Sequence, residues 1–473
     1  MPAKQQSISD IESRFGIFKN AKMLTINSPS TYIPERKYII SILFGDFLGL
    51  NYRVKFGNSD CIMITDGRTE LRVADIFFQT QEMEWLTAQS LPREPLRNWD
   101  LRECGLYRDL SETRIPIIFG EDKEELFDPN YLPIDIFGST FFMLSRYEEY
   151  IEEVEDIHQR FPAYASIAYR NGFLDRPIVN EYLDILWSRL KKLWPGLSRK
   201  KRSFRLIPTH DVDIPYEYLG QPFRKILLKS AVNVYHGIKF RKALRDISRW
   251  YKINYAGGQD PYDTHNWLMT IAEKENLKAT FNFMSGGHQS VDYYYPINGK
   301  YIKRLIEQII MRGHEIGFHP SYLTAFNLKL WNAEFHTLQK ALNGYPIKGG
   351  RQHFLRFKIP YTWQYWAKNN LEYDSTLGFA DYAGFRCGTC YEYPVYNLQL
   401  REVMPLRERP LIAMDTTVID DHYMGLGTSA EAIDYFLKLK RLCQNHCGDY
   451  VMLWHNQRFV DPEIKEMYRT LIS

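Results

Sequence analysis

The sequence predicts an α/β protein in which a distorted C-terminal (β/α) barrel follows a smaller α+β domain. Three observations carry this expectation. Beyond residue 203, short apolar runs recur with helical segments between them, which favours parallel strands joined by crossover helices. Before residue 195, strand-like runs give way to helical ones. Between the two lies "PGLSRKKRSF", basic and poor in apolar residues, which reads as a boundary between residues 1–198 and 199–473. At 473 residues the chain also exceeds what one hydrophobic core usually serves.

In chain order, "KYIISILFGDFLGL" and "SDCIMITDG" read as strands bounded by turn signals. The stretches "STFFMLSRYEEYIEEVED" and "PIVNEYLDILWSRLKKLW" read as helices, the acidic residues of the first forming a solvated face. After the boundary come "FRLIPT", "KATFNFM", "GHEIGFH", "DSTLGF", "LIAMDTTV" and "YVMLWH", each of strand length. Between the first two sits a long, mostly helical insertion, "FRKILLKSAVNVYHGIKFRKALRDISRWYKINYAGG", suited to a lid or an oligomer contact. No internal repeat is visible.

Composition excludes several function classes. Hydrophobic residues make up 45% and aromatic residues 15%, as in a well-packed globular protein, and the net charge is +3. No Lys/Arg-rich run interleaves with aromatics, so no nucleic-acid partner is expected. The start, "MPAKQQSISDIESRFG", lacks an apolar core of signal-peptide length, and no run reaches a membrane span. A cytoplasmic protein is expected. Six cysteines are sparse for this length and suit reduced thiols. "CGTC" and "CQNHC" have the spacing of a zinc-thiolate site, but Cys443 and Cys447 lie in a helical run closed by Gly448, which favours buried thiols.

The candidate chemistry sits at strand ends. "FRLIPT" runs into His210, Asp211 and Asp213, "GHEIGFH" ends at His319, and "YVMLWH" ends at His455. In a parallel barrel these ends gather on one face, where active sites are built. Asp211 and Asp213 lie two apart, so on a strand they point the same way, and two carboxylates that close favour a shared cation.

The order "THDVD", "KATFNF", "GHEIGFHP", "GGRQHFLRF" and "VMLWHN" resembles the polysaccharide deacetylase family, metal-dependent esterases with a NodB-type homology domain, over roughly residues 203–460. The resemblance implies a barrel of that type and a hydrolase removing acetyl groups from an acetylated carbohydrate. It implies Asp211 as general base, Asp213 and His319 as ligands of a divalent metal, Arg351 as the arginine supporting the base, and His455 as the acid. Asp374 and Ser375 in "YDSTLGF" are similar to the family's later aspartate motif, which supports that arginine. An aspartate with imidazoles suits zinc ahead of other divalent ions. In "GFADYAGFRCGT", Tyr382 and Phe385 offer faces for a sugar ring. The segments "LSRYEEY" and "RPIVNEY" are similar to an uncharacterised domain that accompanies deacetylase-like domains in bacteria.

One departure from that pattern matters. The family's second metal-binding histidine falls four residues after the first, and here that position is Leu323. His353 and His210 are the candidate replacements. His353 is preferred, because His210 and Asp211 are adjacent on a strand and face opposite sides. Leu323 also keeps a second possibility open, a carbohydrate-binding protein with a degenerate site. A third is a hydrolase of another carbon–nitrogen bond, such as a cyclic amide, on the same barrel.

Overall fold

A computed structural model describes residues 23–100, 113–121, 128, 130–228, 240–287 and 289–473. The start of the chain, Cys104 and the centre of the long insertion, residues 229–239, lie outside the described residues.

The N-terminal part is built on a five-stranded sheet. Its first strand β1 (Leu24–Pro29) pairs in parallel with the edge strand β2 (Tyr52–Gly57) and antiparallel with the central strand β3 (Ile62–Thr65). β4 (Glu70–Val73) follows, then a two-stranded ribbon of β5 (Arg97–Asp100) and β6 (Arg114–Ile117), then the edge strand β7 (Tyr131–Leu132). Polar and apolar residues alternate along β4, as a half-buried strand requires. The run "KYIISILFGDFLGL", expected as a strand, is instead a helix, Ile33–Ile40, continued by a π-helical stretch, Ser41–Phe47. Tyr38, Ile39, Ile40, Ile42, Leu43 and Phe44 are all buried, because other elements cover this helix on several sides. From Tyr38 to Phe44 every residue but Ser41 is buried, so this run carries no period that separates a helix from a buried strand.

The C-terminal part is a nine-stranded sheet. In chain order its strands are β8 (Arg205–Val212), β9 (Thr280–Phe283), β10 (Glu315–Phe318), β11 (Gly349–Gly350), β12 (Tyr373–Asp374), β13 (Tyr393–Asn397), β14 (Glu402–Glu408), β15 (Ala413–Met414) and β16 (Asp449–Leu453). The spatial order is β13-β14-β12-β11-β10-β9-β8-β16-β15, parallel throughout except for the β13–β14 hairpin. That hairpin and β11 had no counterpart among the expected strands, and "DSTLGF" begins where β12 ends.

The connectivity forces this sheet to curl. β14 and β15 lie seven strand spacings apart in the order, about 34 Å in a flat sheet. Only residues 409–412 join them, a reach of at most about 18 Å. This short segment bonds to both sides: the Arg409 amide donates to the Asp374 carbonyl at 2.8 Å and the Ile412 amide to the Val451 carbonyl at 3.0 Å. Among the described residues no strand pairing closes the ring, so the sheet is a strongly curved α/β sheet without a hydrogen-bonded seam.

One hydrophobic cluster runs through both parts of the chain. Buried ion pairs join them as well. Arg386 forks onto Glu149 at 2.8 and 2.7 Å, and Arg146 reaches the same carboxylate at 2.8 Å. Glu148 and Glu149 are therefore buried rather than a solvated acidic face, because arginines and the Ile167 amide supply what water would. The Val179 amide donates to the Gly388 carbonyl at 2.8 Å, and the Phe385 amide to the Leu174 carbonyl at 2.7 Å.

Candidate active site

The carboxyl ends of β8, β10 and β16, with the segment after β11, bring Asp211, Asp213, His319, Arg351, His353 and His455 together. Asp211 is the penultimate residue of β8, and across the parallel register it faces Asn282 of β9, which in turn faces Gly317 of β10. This row fixes the Asp211 carboxylate. Asp211 Oδ1 accepts from Asn282 Nδ2 at 2.7 Å and from Arg351 Nη1 at 3.1 Å. Gly317 leaves the room: a Cβ there would stand 1.9 Å from Asn282 Oδ1.

Three imidazoles are each anchored through Nδ1, which leaves each Nε2 turned toward the same carboxylates. His319 Nδ1 meets the Arg351 carbonyl at 2.6 Å, His353 Nδ1 meets Asp292 Oδ1 at 3.0 Å, and His455 Nδ1 meets Asp415 Oδ1 at 2.8 Å. The tautomer follows from the partner, since a carbonyl or carboxylate only accepts. His319 Nε2 then lies 3.2 Å from Asp213 Oδ1 and 3.8 Å from Asp211 Oδ2. His353 Nε2 and His455 Nε2 lie 3.8 and 3.6 Å from Asp213 Oδ2.

Asp213, His319 and His353 offer ligand atoms all within 4.8 Å of one another, and all three residues are buried. Asp213 Oδ1 and His319 Nε2 have no hydrogen-bond partner despite this burial. Unpartnered buried polar atoms are costly, and a cation between them would satisfy both. The donor set of one carboxylate and two imidazoles, with Asp292 orienting His353, fits a divalent metal.

Charges here stabilise one another. Burial raises the carboxyl of Asp211, but His319 and Arg351 outweigh it and leave the group below its ordinary range. Asp213 is likewise driven down against burial by His353 and His319. Burial lowers the His455 imidazole, yet Asp415 overcomes this and pushes it up to about 9. Asp415 itself, buried but facing His455 and Arg458, falls to about 2.

Other expected residues lie differently. Asp374 acts on Arg351 only through space; its Oδ1 accepts from the Thr376 amide and hydroxyl, and burial pushes the group up to about 7. The guanidinium is held by Ser375, through the carbonyl at 2.8 Å and the hydroxyl at 3.2 Å. Phe385 presents no face to a sugar, because it is fully buried in the core. Tyr382 is half-buried and packs edge-on against Tyr169 and Tyr435. His210 points away from the cluster, bonded to the Trp454 carbonyl. Leu323 is exposed in a short 3-10 helix. Among the described residues no cysteine joins a metal-type cluster, and Cys387, Cys390 and Cys443 are buried thiols.

Three residues escaped the sequence. Asp415 was within reach, since "LIAMD" ends a strand in a carboxylate just as "YVMLWH" ends one in an imidazole. Asn282 is a polar residue inside an apolar strand. Asp292 had no signal, because it comes from a 3-10 turn after β9 and meets His353 only through the fold.

Comparison with known proteins gives limited company. A family model described as a family of unknown function (DUF7033) matches residues 24–195. No curated protein matches. Among solved structures, a chain assigned as a polysaccharide deacetylase from Mycobacterium smegmatis is 19% identical, with a TM-score of 0.38, over 59% of this chain and 84% of that one. The Puue allantoinase is 14% identical with a TM-score of 0.34, over 59% and 85%. A chain assigned as a polysaccharide deacetylase from Pseudomonas aeruginosa PAO1 is 13% identical with a TM-score of 0.33, over 59% and 85%. Likenesses of this size assign no residue role.

Proposed function

We propose that this chain is a divalent-metal-dependent hydrolase that removes acetyl groups from an acetylated sugar or glycan precursor. The observation that carries this reading is the buried cluster of Asp213, His319 and His353, with its orphaned donor atoms beside an ionised Asp211. These three residues would hold the metal, zinc being the best match to the ligand types. When bound, such a cation lowers the pKa of water and polarises an acyl carbonyl.

The protein's own groups divide the proton transfers. Asp211 has Oδ1 occupied by Asn282 and Arg351, so Oδ2 is the atom that takes the proton of the attacking water. Arg351 keeps that carboxylate ionised and aimed. As the bond from the acyl carbon to the sugar nitrogen or oxygen breaks, His455 Nε2 gives its proton to the departing atom. Asp415 suits His455 to this, holding Nδ1 and keeping the ring protonated at neutral pH. His353 supports the hydrolase reading over a degenerate binder, since it offers the third donor that Leu323 does not. The test is acetate release from a panel of N- and O-acetylated hexosamines by zinc-loaded protein. Release abolished by Asp211→Asn is expected; no release from any member, by protein that retains metal, contradicts the substrate class.

A further inference from the structure

The long insertion after β8 carries an exposed surface that the proposed chemistry does not use. Its principal helix, Phe240–Tyr255, is docked by one side. Ala243, Asp246 and Ile253 are buried, the Tyr218 hydroxyl donates to Asp246 at 3.0 Å, and Trp250 Nε1 donates to the Gln221 carbonyl at 2.8 Å. At 100° per residue the rest of the circumference divides in two. Leu244, Ser248, Tyr251 and Tyr255 fall within an arc of about 60°. Arg241, Lys252, Arg245, Arg249 and Lys242 occupy the adjoining arc of about 100°.

The apolar arc is open to solvent. Leu244 is 52% exposed, Tyr251 60% and Tyr255 69%. Phe223, tilted against Trp250 with centroids 4.8 Å apart, is exposed too, as are Leu227 and Leu228. Within residues 240–255 the five basic residues stand against one acidic residue, Asp246, which is buried. An exposed apolar stripe with a one-signed basic flank is the pattern of a helix lying in a membrane interface, where the stripe enters the acyl boundary and the cations meet anionic headgroups.

Its position is equally informative. The insertion leaves β8 directly after Asp213, and its stems are held beside the catalytic residues. Asn456, next to His455, donates from Nδ2 to the carbonyls of Ile214 and Tyr262, both at 3.0 Å. Asp260 accepts from the amides of Glu217, Tyr218 and Leu219. The surface therefore rises from the rim on which the candidate active site opens.

We propose that this rim docks on an anionic membrane surface through the helix 240–255. The docking stands on the composition and placement of the helix; only the corollary, that the acetylated glycan is carried on a lipid, rests on the hydrolase reading.

The test uses the full chain and vesicles of phosphatidylcholine, with and without phosphatidylglycerol, read by co-sedimentation. Binding to the phosphatidylglycerol vesicles alone is expected, falling as salt rises. The variant Leu244→Glu/Tyr251→Glu and, separately, Arg241→Glu/Arg245→Glu should each weaken it by about tenfold or more, with bound metal and thermal midpoint unchanged. Failure to bind anionic vesicles, or equal binding by both folded variants, overturns the proposal. So does a lipid-free dimer that Leu244→Glu/Tyr251→Glu converts to monomer, since the surface then belongs to a second copy. Vesicle binding without acetate release would leave the docking standing and remove the hydrolase reading, and the reverse result would do the opposite.

Discussion

Asp292 and Asp415 each hold the outer nitrogen of a histidine, and their removal separates two roles. Asp292 also accepts from the Tyr322 amide at 2.8 Å, so Asp292→Asn keeps the turn while weakening the grip on His353. Metal affinity, measured by competition with a chromophoric chelator, should fall about 10- to 100-fold. An unchanged affinity would mean that His353 is not a ligand. Asp415→Asn should leave metal content alone and lower kcat on an N-acetyl substrate by about 10²- to 10⁴-fold. On 4-nitrophenyl acetate, whose leaving group needs no proton, the loss should be much smaller; equal losses would place Asp415 outside acid catalysis. Residues at strand ends were legible in the sequence, because the position alone says where they gather. Their partners were not, since a contact such as Asp292 with His353 joins positions 61 apart that no local pattern links.

Strands and helices set the site through spacing that local sequence only partly shows. The parallel strands were readable as apolar runs, and the order of their polar ends followed. The helix Ile33–Ile40 was misread because burial on several sides erases its period. The curl of the sheet was invisible too, as it comes from a four-residue link between strands distant in the order rather than from any strand's composition. Within that sheet, Gly317 is where an element controls the placement of Asp211. Gly317→Ala would push Asn282 off Asp211, so it should cost about 1–3 kcal/mol of stability and reduce kcat, while Asn282→Ala alone reduces kcat similarly. Urea unfolding and acetate release check this; full activity in a stable Gly317→Ala protein would show that the row across β8, β9 and β10 does not position Asp211.

The whole molecule depends on contacts between its two parts. A boundary near residue 198 was read from composition, but the shared core and the Arg146–Glu149–Arg386 cluster cross it. Removing the Glu149 charge would strand the buried Arg386 guanidinium and leave Arg146 only its longer contact to Glu148 at 3.3 Å, so Glu149→Gln should cost about 3 kcal/mol or more. Burial raises this carboxyl, but Arg386 and Arg146 outweigh it and hold it below its ordinary value. A lowered folded-state pKa stabilises fully above the unfolded value of about 4.3 and loses its effect as pH falls through the folded value. The gap in urea midpoint between wild type and Glu149→Gln should therefore be constant near neutral pH and shrink in acid; a gap independent of pH would contradict the pairing. The central claim is that Asp213, His319 and His353 hold one divalent cation in each chain. Elemental analysis of protein purified without chelator or nickel resin tests it most directly: about one equivalent of metal, zinc foremost, is predicted for the wild type, lost in Asp213→Ala and in His353→Ala while both remain folded. A folded wild-type protein that stays metal-free after zinc is supplied, or full metal content in either variant, would contradict it.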